Sequence, residues 1–315
     1  MSFSYLCDKV RAAPILEAPF RHIEIQHLFE ARHFAEILRA PEVTTPGVES
    51  DEELFPVLFE AGYRIVNFPG CVIDKDDYIA WRRDSGPLAG RNNPSCEGFG
   101  VTLRLGEVQT PIIADLLEVL ESEAFLGALA EKFGVDRSAT FLDAGIQKYL
   151  DGYEISPHAD IRRKALTYMV NINPAPDSEQ VDHHTRYMRL KPEHGHVGRF
   201  WEANPQLDRC WLPWSWCETE KIQSRNNSLV AFSPYDRSLH AVRAAYDHLQ
   251  HQRTQLYGNL WFKEGKTERT PEWWELGGEA PPEGRPSAWR PSPAPDAAEG
   301  SFVVANRLEM KTRRR

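Results

Sequence analysis

The pentapeptide SPHAD places His158 and Asp160 two residues apart. In an extended chain, side chains at positions i and i+2 project to the same side, so one face would offer an imidazole and a carboxylate. A second histidine, His240, lies in another predicted β segment, SPYDRSLHAVRA. Two imidazole nitrogens and one carboxylate oxygen form the facial ligand set that holds non-haem Fe(II) and leaves three coordination positions open. The sequence therefore indicates His158, Asp160 and His240 as candidate metal ligands and catalytic residues.

Short β segments must position these ligands. After about residue 139 the sequence changes to runs of strand formers bounded by Asp-Gly, Asn-Pro, Ser-Pro or polar residues, namely ATFLDAGIQKYL, RKALTYMVNINP, NNSLVAFSP, LHAVRAA and TQLYGNLWF. This punctuation is typical of antiparallel strands in a sandwich or a barrel. We therefore predict that the second half of the chain is built from β-strands.

Residues 1–138 have a different pattern and are predicted to be a mostly helical support region. Apolar residues recur at helical spacing in HIEIQHLFEARHFAEILRA, SDEELFPVLFEAGY and TPIIADLLEVLESEAFLGALAEKFG, with one β segment, GYRIVNFPGCVI, among them. Helices that come first and strands that follow, without βαβ alternation, argue against a Rossmann or TIM fold. The predicted fold class is mainly β with α, a β core braced by N-terminal helices.

Residues 139–262 resemble the 2-oxoglutarate and Fe(II)-dependent dioxygenases of the prolyl-4-hydroxylase-like type. IQKYLDGYEISPHADI is similar to that family's strand, turn and HxD motif, and RKALTYMVNINP to the apolar strand that follows it. NSLVAFSPYDRSLHAVRA and RTQLYGNLWF are similar to the distal-histidine strand and to the closing strand, which begins with a basic residue. The resemblance implies a double-stranded β-helix core (jelly-roll, cupin-like), Fe(II) as the metal, 2-oxoglutarate and O₂ as cosubstrates, and ascorbate as a component that can stimulate turnover.

The closing strand supplies the candidate for binding 2-oxoglutarate. Arg253 begins that strand, and its planar guanidinium matches a carboxylate in a buried pocket better than a mobile ammonium would. Arg243 competes for this role, but it lies only three residues after His240, so we expect Arg253 to have the better reach. The resemblance places the hydroxyl of Tyr149 near the cosubstrate.

Two polar residues on the next strand are further candidate cosubstrate contacts. Thr167 and Asn171 share one face of an otherwise apolar run, which suggests that they face a polar cavity. Asp160 also bears on the type of reaction, since related halogenases replace this carboxylate with a small residue. Its presence therefore favours hydroxylation or desaturation over halogenation.

The predicted catalytic core, residues 139–262, contains an insert, residues 175–225, that a minimal barrel would not require. The insert holds four of the nine tryptophans with several histidines and arginines, a composition typical of a ligand-binding wall. We predict that the primary substrate, a carboxylated or sugar-like small molecule, contacts Arg186, Arg199 and Trp201. A second metal site is a further alternative, although no cysteine or carboxylate spacing here matches a known structural site; its ligands would be His183, His184, His194 and His196.

Residues 263–315 are Pro-rich, with seven prolines between positions 271 and 295, and we expect this tail to be disordered. The chain of 315 residues carries a net charge of −9, which argues against general nucleic-acid binding. It has no apolar stretch of the roughly 18 residues that a membrane span needs, and its five cysteines lack a CxxC pair, which fits reduced thiols. These features predict a soluble, cytoplasmic protein with a small-molecule partner and without nucleic-acid or membrane partners.

Functions of two classes fit these residues. The first is a dioxygenase that hydroxylates or desaturates an unactivated C–H bond of a small organic substrate, with release of succinate and CO₂. The alternative is a non-redox, cupin-like metal-binding barrel that acts as an isomerase, a lyase or a ligand-binding protein. A hydroxylase of a peptide or protein side chain is a variant of the first. Arg253 distinguishes the classes, because a cupin has no need of a buried 2-oxo-acid site on its last strand.

Overall fold

The computed structural model describes residues 3–66, 74–85, 100–265 and 267–278. Within this part the helices are α1 (Tyr5–Ala12), α2 (Ala31–Arg39), α3 (Asp51–Glu60), α4 (Lys75–Ser85), α5 (Pro111–Leu120), α6 (Glu123–Phe133), α7 (His196–Ala203) and α8 (Trp273–Gly277). The strands are β1 (Ile23–Gln26), β2 (Tyr63–Ile65), β3 (Thr102–Leu105), β4 (Thr140–Tyr149), β5 (Glu154–His158), β6 (Lys164–Asn171), β7 (Thr185–Leu190), β8 (Cys217–Ile222), β9 (Ser228–Phe232), β10 (His240–Arg243) and β11 (Arg253–Phe262).

These strands form two antiparallel sheets. The large sheet has the order β1-β9-β6-β11-β4-β3-β2, and the small sheet has the order β5-β10-β7-β8. Every pair of neighbouring strands in the two sheets is antiparallel. Strands β4 to β11 are thus divided equally between the sheets, while β1, β2 and β3 extend the large sheet at its two ends. This architecture confirms the predicted mainly β class with helices.

One face of the large sheet packs against the helices. Leu256 and Leu260 of β11 and Tyr168 of β6 belong to the main apolar core, which also contains buried residues of α5 and α6. Burying one such leucine fully contributes about 1.5–3 kcal/mol to stability. Gly258 lies on the same face between the two leucines, where a Cβ atom would come within 2.1 Å of the Tyr168 ring. The close approach of this ring therefore requires glycine at position 258.

The opposite face of the large sheet is polar and faces the small sheet. Because side chains alternate along a strand, the odd-numbered residues of β11 from 253 to 259 point away from the helices. These residues are all at most 9% exposed, and they are Arg253, Gln255, Tyr257 and Asn259. A hydrogen bond from Arg253 Nη2 to Thr185 Oγ1 (3.0 Å) joins this face to β7 of the small sheet. The space between the sheets is therefore lined by buried polar groups.

The N-terminal helices are joined to the core by a group of buried charges. Asp51 at the start of α3 pairs with His248 Nε2 (2.7 Å) and with Arg82 Nε of α4 (3.4 Å). Arg82 also pairs with Asp151, which follows β4 and accepts a hydrogen bond from Tyr246 N (3.0 Å). These contacts hold the chain segments at the ends of β4 and β10 against α3 and α4.

The first predicted helix is wrong over its first part. Residues 23–26 form β1, which pairs with β9, and helix α2 begins at Ala31. Ile23 and Ile25 are both buried while Gln26 is exposed, so the period here is that of a strand. The apolar run IEI fits the start of an amphipathic helix and an edge strand equally well. It forms a strand in the structure because it pairs with the edge of β9.

The predicted insert is part of the core in two places. Strand β7 pairs directly with β10, and β8 pairs with β7, so both belong to the small sheet. Most of the insert between β7 and β8, including α7, packs on the outer side of that sheet in an apolar cluster around Trp201, Trp216 and Ala241. The expectation that a minimal barrel would not require this segment is corrected accordingly.

The beginning of the predicted disordered tail is ordered and packed. Residues 267–278 include α8, and Trp273 is 5% exposed within the same outer cluster. Leu207 and Arg269 form an isolated parallel bridge that attaches this segment to the insert. Residues 279–315, on which the rest of the prediction falls, lie outside the described residues. Among the described helices, none has both the length and the apolar character needed to cross a membrane.

Candidate metal centre

The HxD motif and the distal histidine meet on two adjacent strands of the small sheet. His158 is the last residue of β5 and His240 is the first residue of β10, and the two are directly paired in the register. Asp160 follows the end of β5 in a loop, so the sequence prediction of one extended strand holds only as far as His158. The pairing brings the two imidazole rings to a centroid distance of 4.3 Å.

The three side chains form a compact, buried group. Asp160 Oδ1 lies 3.7 Å from His158 Nε2 and 3.9 Å from His240 Nε2. One ligand atom from each residue lies within 4.8 Å of the others, and this is the one group of three or more potential metal ligands found among the described residues. All three residues are at most 6% exposed.

Backbone carbonyls orient both histidine rings. The Nδ1 atom of His158 lies 2.9 Å from the carbonyl oxygen of Ser156, and that of His240 lies 3.2 Å from the carbonyl oxygen of Ser238. Because a carbonyl oxygen only accepts hydrogen bonds, Nδ1 carries the proton in each ring and Nε2 presents its lone pair. Burial, and then the neighbouring His158, lowers the pKa of His240 to about 3, which keeps its ring neutral.

Two side chains hold the carboxylate of Asp160. Lys164 Nζ pairs with Oδ1 at 2.7 Å, and Thr167 Oγ1 donates a hydrogen bond to Oδ2 at 2.7 Å. Burial alone would raise the pKa of Asp160, but the charge of Lys164 and the interactions with the two histidines hold it well below its usual range. Neutral imidazole nitrogens and an ionised carboxylate are the donors that Fe(II) takes, so these residues fit this ion.

The chain around the HxD motif is held from outside by the insert. Arg209, which is 6% exposed, donates from Nη1 to the carbonyl oxygen of Asp160 (2.7 Å) and from Nε to Asp236 Oδ1 (2.7 Å). Leu212 N donates to the carbonyl oxygen of Pro157 (2.8 Å). The insert thus fixes the backbone on both sides of His158.

Arg253 is a buried cation without an anionic partner. It is 2% exposed, and its Nη2 donates to Thr185 Oγ1 (3.0 Å) and contacts Gln255 Oε1 (3.5 Å). Within the described part of the chain, its Nε and Nη1 atoms have no hydrogen-bond partner, and no carboxylate pairs with the guanidinium. A buried charge without a counterion costs several kcal/mol. The arrangement therefore favours a ligand that brings a negative charge to this position.

Arg243, the alternative to Arg253, already has a carboxylate partner. Its Nε and Nη2 donate to the two oxygens of Glu154 at 2.6 and 3.2 Å. Its guanidinium also lies 4.5 Å from the centre of the Trp214 ring. The contrast with Arg253 supports the choice made from the sequence.

The other three predicted cosubstrate contacts have different positions. Tyr149 contacts Arg253 through its ring, 4.5 Å from the guanidinium carbon, while its hydroxyl forms a hydrogen bond with the Gln147 amide (2.6 Å). Asn171 accepts a hydrogen bond from Gln255 Nε2 (3.2 Å) and so lies one residue removed from Arg253. Thr167 donates a hydrogen bond to Asp160 and so lies beside a candidate metal ligand.

The predicted substrate contacts do not line the space between the sheets. Arg186 forms an ion pair with Asp182 (2.7 Å), and Arg199 is exposed on α7. Trp201 is fully buried in the outer cluster. Charge and aromatic content identified the segment but not the direction of its side chains, because α7 packs on the outside of the small sheet.

The four histidines proposed as a second metal site are divided between two places. His194 stacks on Trp216 with a centroid distance of 4.5 Å, and His196 donates from Nε2 to the carbonyl oxygen of Leu276 (3.1 Å). His183 and His184 contact each other at a centroid distance of 4.5 Å. Since His183 also contacts Tyr246 (4.9 Å), this pair belongs to the surroundings of Arg253.

Sequence reasoning missed three residues near the two sites and placed a fourth, Gln255, on the face of Arg253 without assigning it a contact. Lys164 and Trp211 lie next to the metal ligands, with the Trp211 ring 6.0 Å from that of His158. Thr185 and Gln255 contact the Arg253 guanidinium. Alternation along RTQLYGNLWF places Gln255 on the face of Arg253, but contacts between strands depend on a register that one strand does not encode.

Comparison with known proteins adds the following. No protein family model matches the sequence, and no curated protein matches it. The structure is similar to a prolyl hydroxylase from Trichoplax adhaerens in complex with a hypoxia inducible factor peptide fragment, with 12% identity over 83% of this chain and 91% of that chain and a TM-score of 0.42. It is similar to a Pseudomonas putida prolyl-4-hydroxylase, with 12% identity, 83% and 99% coverage and a TM-score of 0.40.

A third similar structure is the non-heme alpha ketoglutarate dependent epimerase SnoN from nogalamycin biosynthesis. The identity is 11%, the match covers 94% of this chain and 96% of that chain, and the TM-score is 0.34. Prolyl hydroxylases and a 2-oxoglutarate-dependent epimerase are thus among the solved structures that this chain is similar to.

Proposed function

We propose that this protein is an Fe(II)- and 2-oxoglutarate-dependent dioxygenase that hydroxylates or desaturates an unactivated C–H bond of a small organic substrate. The observation that carries this proposal is the presence, in one interior, of a buried two-histidine, one-carboxylate group and a buried arginine without an anionic partner. The first fits Fe(II), and the second fits the distal carboxylate of 2-oxoglutarate.

The strand order supports a double-stranded β-helix as the core. Of the eight strands β4 to β11, the large sheet contains β9-β6-β11-β4 and the small sheet contains β5-β10-β7-β8. All neighbouring strands are antiparallel. The side chains of the candidate ligands and of Arg253 lie between the two sheets. A core of this type holds its functional side chains between the two sheets. Here the helices cover the outer face of the large sheet.

In this proposal the chain itself supplies a metal-binding face and an anion-binding face. His158 and His240 would bind the ion through Nε2, and Asp160 through its carboxylate. Bound iron would couple reduction of O₂ to decarboxylation of 2-oxoglutarate, giving succinate and CO₂. Thr167 keeps one oxygen of Asp160 oriented, and the Nδ1 hydrogen bonds of both histidines prevent their rings from rotating.

Arg253 would bind the distal carboxylate of the cosubstrate. Its Nε and Nη1 atoms, which have no hydrogen-bond partner among the described residues, lie on different edges of the guanidinium, and either can donate to a carboxylate, while the Tyr149 ring covers one face. Thr185 and Gln255 hold Nη2, which fixes the orientation of the guanidinium. Binding therefore replaces an uncompensated buried charge with a hydrogen-bonded ion pair.

Succinate formation from labelled 2-oxoglutarate tests this function. The full chain is incubated with Fe(II), ascorbate and O₂, and Asp160→Ala is compared with Asp182→Ala, which removes a carboxylate from an exposed ion pair. We expect the wild type and Asp182→Ala to form succinate and Asp160→Ala to form none. A wild-type protein that binds the metal but forms no succinate would favour the non-redox barrel, and the same assay with peptides and small molecules would separate the two classes of substrate.

A further inference from the structure

His183 and His184 lie immediately before β7 and are buried in an unusual state. Only 3% and 5% of their surfaces are exposed, and in the described part of the chain the backbone of Ser178 and Glu179 lies near the rings but no atom forms a hydrogen bond of good geometry with any of the four ring nitrogens. Buried polar groups in native proteins are nearly always paired, because an unpaired group loses its hydration without compensation. Two adjacent histidines in this state indicate that something absent from the chain itself pairs with them.

Both rings lie beside Arg253. The His183 ring contacts the Tyr246 ring at a centroid distance of 4.9 Å, and the Tyr246 hydroxyl accepts a hydrogen bond from Arg253 N at 2.8 Å. Thr185, the residue after His184, accepts from Arg253 Nη2 at 3.0 Å. Burial, and then the positive charge of Arg253, lowers the pKa of His183 to about 2 and that of His184 to about 4.

The chemistry of these groups matches one ligand. A neutral imidazole carries one N–H donor, so His183 and His184 supply two donors, and Arg253 supplies a further one from Nε or from Nη1, which lie on different edges of its guanidinium. A carboxylate accepts up to about four hydrogen bonds and carries the charge that Arg253 lacks. A second metal ion fits less well, because no third ligand joins the two histidines in any metal-binding group among the described residues.

We propose that His183 and His184 are specificity-determining residues for the cosubstrate, which bind the distal carboxylate of a 2-oxo dicarboxylic acid together with Arg253. This inference rests on the proposed function and adds two residues to it. Arg253 supplies the charge, and the two neutral rings fix the position of the carboxylate at the end of the pocket. The pair therefore selects 2-oxoglutarate against 2-oxo acids that end in an apolar group.

Calorimetric titration of the full-length protein tests the proposal without turnover. The protein is loaded with Mn(II) under anaerobic conditions, and 2-oxoglutarate is compared with 2-oxopentanoate, which has a methyl group in place of the distal carboxylate. We expect His183→Leu and His184→Leu each to weaken 2-oxoglutarate binding on the order of tenfold, because a hydrogen bond to a charged group is lost. Binding of 2-oxopentanoate should stay within about twofold of wild type.

The control is His194→Leu, a half-buried histidine that stacks on Trp216 in the outer cluster. It should bind both acids as the wild type does. His183→Gln and His184→Gln, which keep an N–H donor, should recover part of the lost affinity and guard against a variant that fails to fold.

Two outcomes would overturn the inference alone. Leucine variants that bind 2-oxoglutarate with wild-type affinity would show that the histidines do not contact the carboxylate. Variants that lose affinity for both acids equally would show a structural role. A wild-type protein that binds Mn(II) but neither acid would instead contradict the proposed function on which the inference rests.

Discussion

Thr167 Oγ1 donates a hydrogen bond of 2.7 Å to Asp160 Oδ2, across seven residues of sequence and from one sheet to the end of a strand in the other. Both residues are at most 5% exposed, so this contact is protected from water. It gives the carboxylate one oxygen that is held by the chain, while the other oxygen, paired with Lys164, faces the two histidines.

Replacing this hydroxyl should weaken the metal site. We expect Thr167→Val to lower the affinity for Mn(II) by about 10–100-fold, the usual cost of losing an orienting partner of a metal ligand. Thr167→Ser should retain most of the affinity, because it keeps the donor. Calorimetric titration with Mn(II) measures both. Equal affinities for the valine variant and the wild type would show that Lys164 alone orients the carboxylate.

Arg253 and Arg243 should respond in opposite ways to replacement. Without cosubstrate, Arg253→Met should leave the free energy of unfolding unchanged or raise it, because it removes a buried charge that has no anionic partner among the described residues. It should also weaken 2-oxoglutarate binding by about 2–4 kcal/mol. Arg243→Met should leave this binding intact but destabilise the fold by about 1–2 kcal/mol, since Glu154 stays buried while the lost side chain was 42% exposed.

Urea unfolding and titration of the metal-loaded protein measure the two quantities on the same samples. If Arg243→Met were the variant that lost 2-oxoglutarate binding, the two arginines would exchange roles. A loss of stability in Arg253→Met as large as that in Arg243→Met would mean that an internal partner compensates the Arg253 charge.

Trp201 should act on the metal site through packing. It is fully buried in the cluster that also contains Ala159 and Ala241, the chain neighbours of the metal ligands. We expect Trp201→Ala to lower the free energy of unfolding by about 3–5 kcal/mol and to reduce decarboxylation of 2-oxoglutarate with and without primary substrate alike. Arg186→Ala, which breaks a surface ion pair, should change stability by less than about 0.5 kcal/mol.

The assay of uncoupled decarboxylation separates these roles. A Trp201→Ala protein with normal uncoupled turnover and impaired substrate binding would indicate that Trp201 contacts the primary substrate, as predicted from the sequence. Loss of activity on a named substrate in Arg186→Ala alone would do the same for Arg186.

Lys148 should make stability depend on pH. It is fully buried, its Nζ donates to the Val43 carbonyl (2.6 Å) and to Thr254 Oγ1 (2.8 Å), and burial lowers its pKa to about 7. The folded state thus prefers the neutral amine, while the unfolded chain binds a proton below about pH 10.4. The free energy of unfolding therefore decreases as the pH falls from about 10 towards 7.

Lys148→Met removes this penalty at the cost of the two hydrogen bonds. We expect it to stabilise the protein by about 1–3 kcal/mol at pH 7 and by little or nothing near pH 10. Urea unfolding at the two pH values measures the difference, with Lys263→Met as a control at an exposed lysine. A gain that does not depend on pH would show that packing, and not the charge, is responsible.

The grouping of His158, Asp160 and His240 as candidate metal ligands could be predicted from the sequence because their signals are local. His158 and Asp160 lie two residues apart, and His240 begins an apolar strand whose bounds are marked by Ser-Pro and polar residues. Arg253 could be predicted for a similar reason, since it stands at the first position of the closing strand. Each of these predictions depends only on one short segment of the sequence and on the alternation of side chains along a strand.

The partners of these residues could not be predicted in the same way. The contact of Thr167 with Asp160 depends on where a loop returns, and that of Arg253 with Thr185 depends on how two sheets face each other. Strand β7 was not recognised within the insert, because polar and apolar residues alternate over only the six residues of TRYMRL, which lies between turn-forming segments. The burial of Trp201 on the outer side follows from a helix orientation that aromatic content does not encode.

The division of the large sheet between the two halves of the chain limits how the protein can be shortened. Strands β1 and β3, from the helical half, occupy positions beside β9 and β4, and α5 and α6 cover the leucines of β11. A fragment beginning near residue 139 would keep every candidate ligand yet present two unpaired strand edges and a bare apolar face, features that promote aggregation. The segment that carries the candidate ligands is therefore not a unit that could fold alone, and a shortened protein would have to retain the helical half.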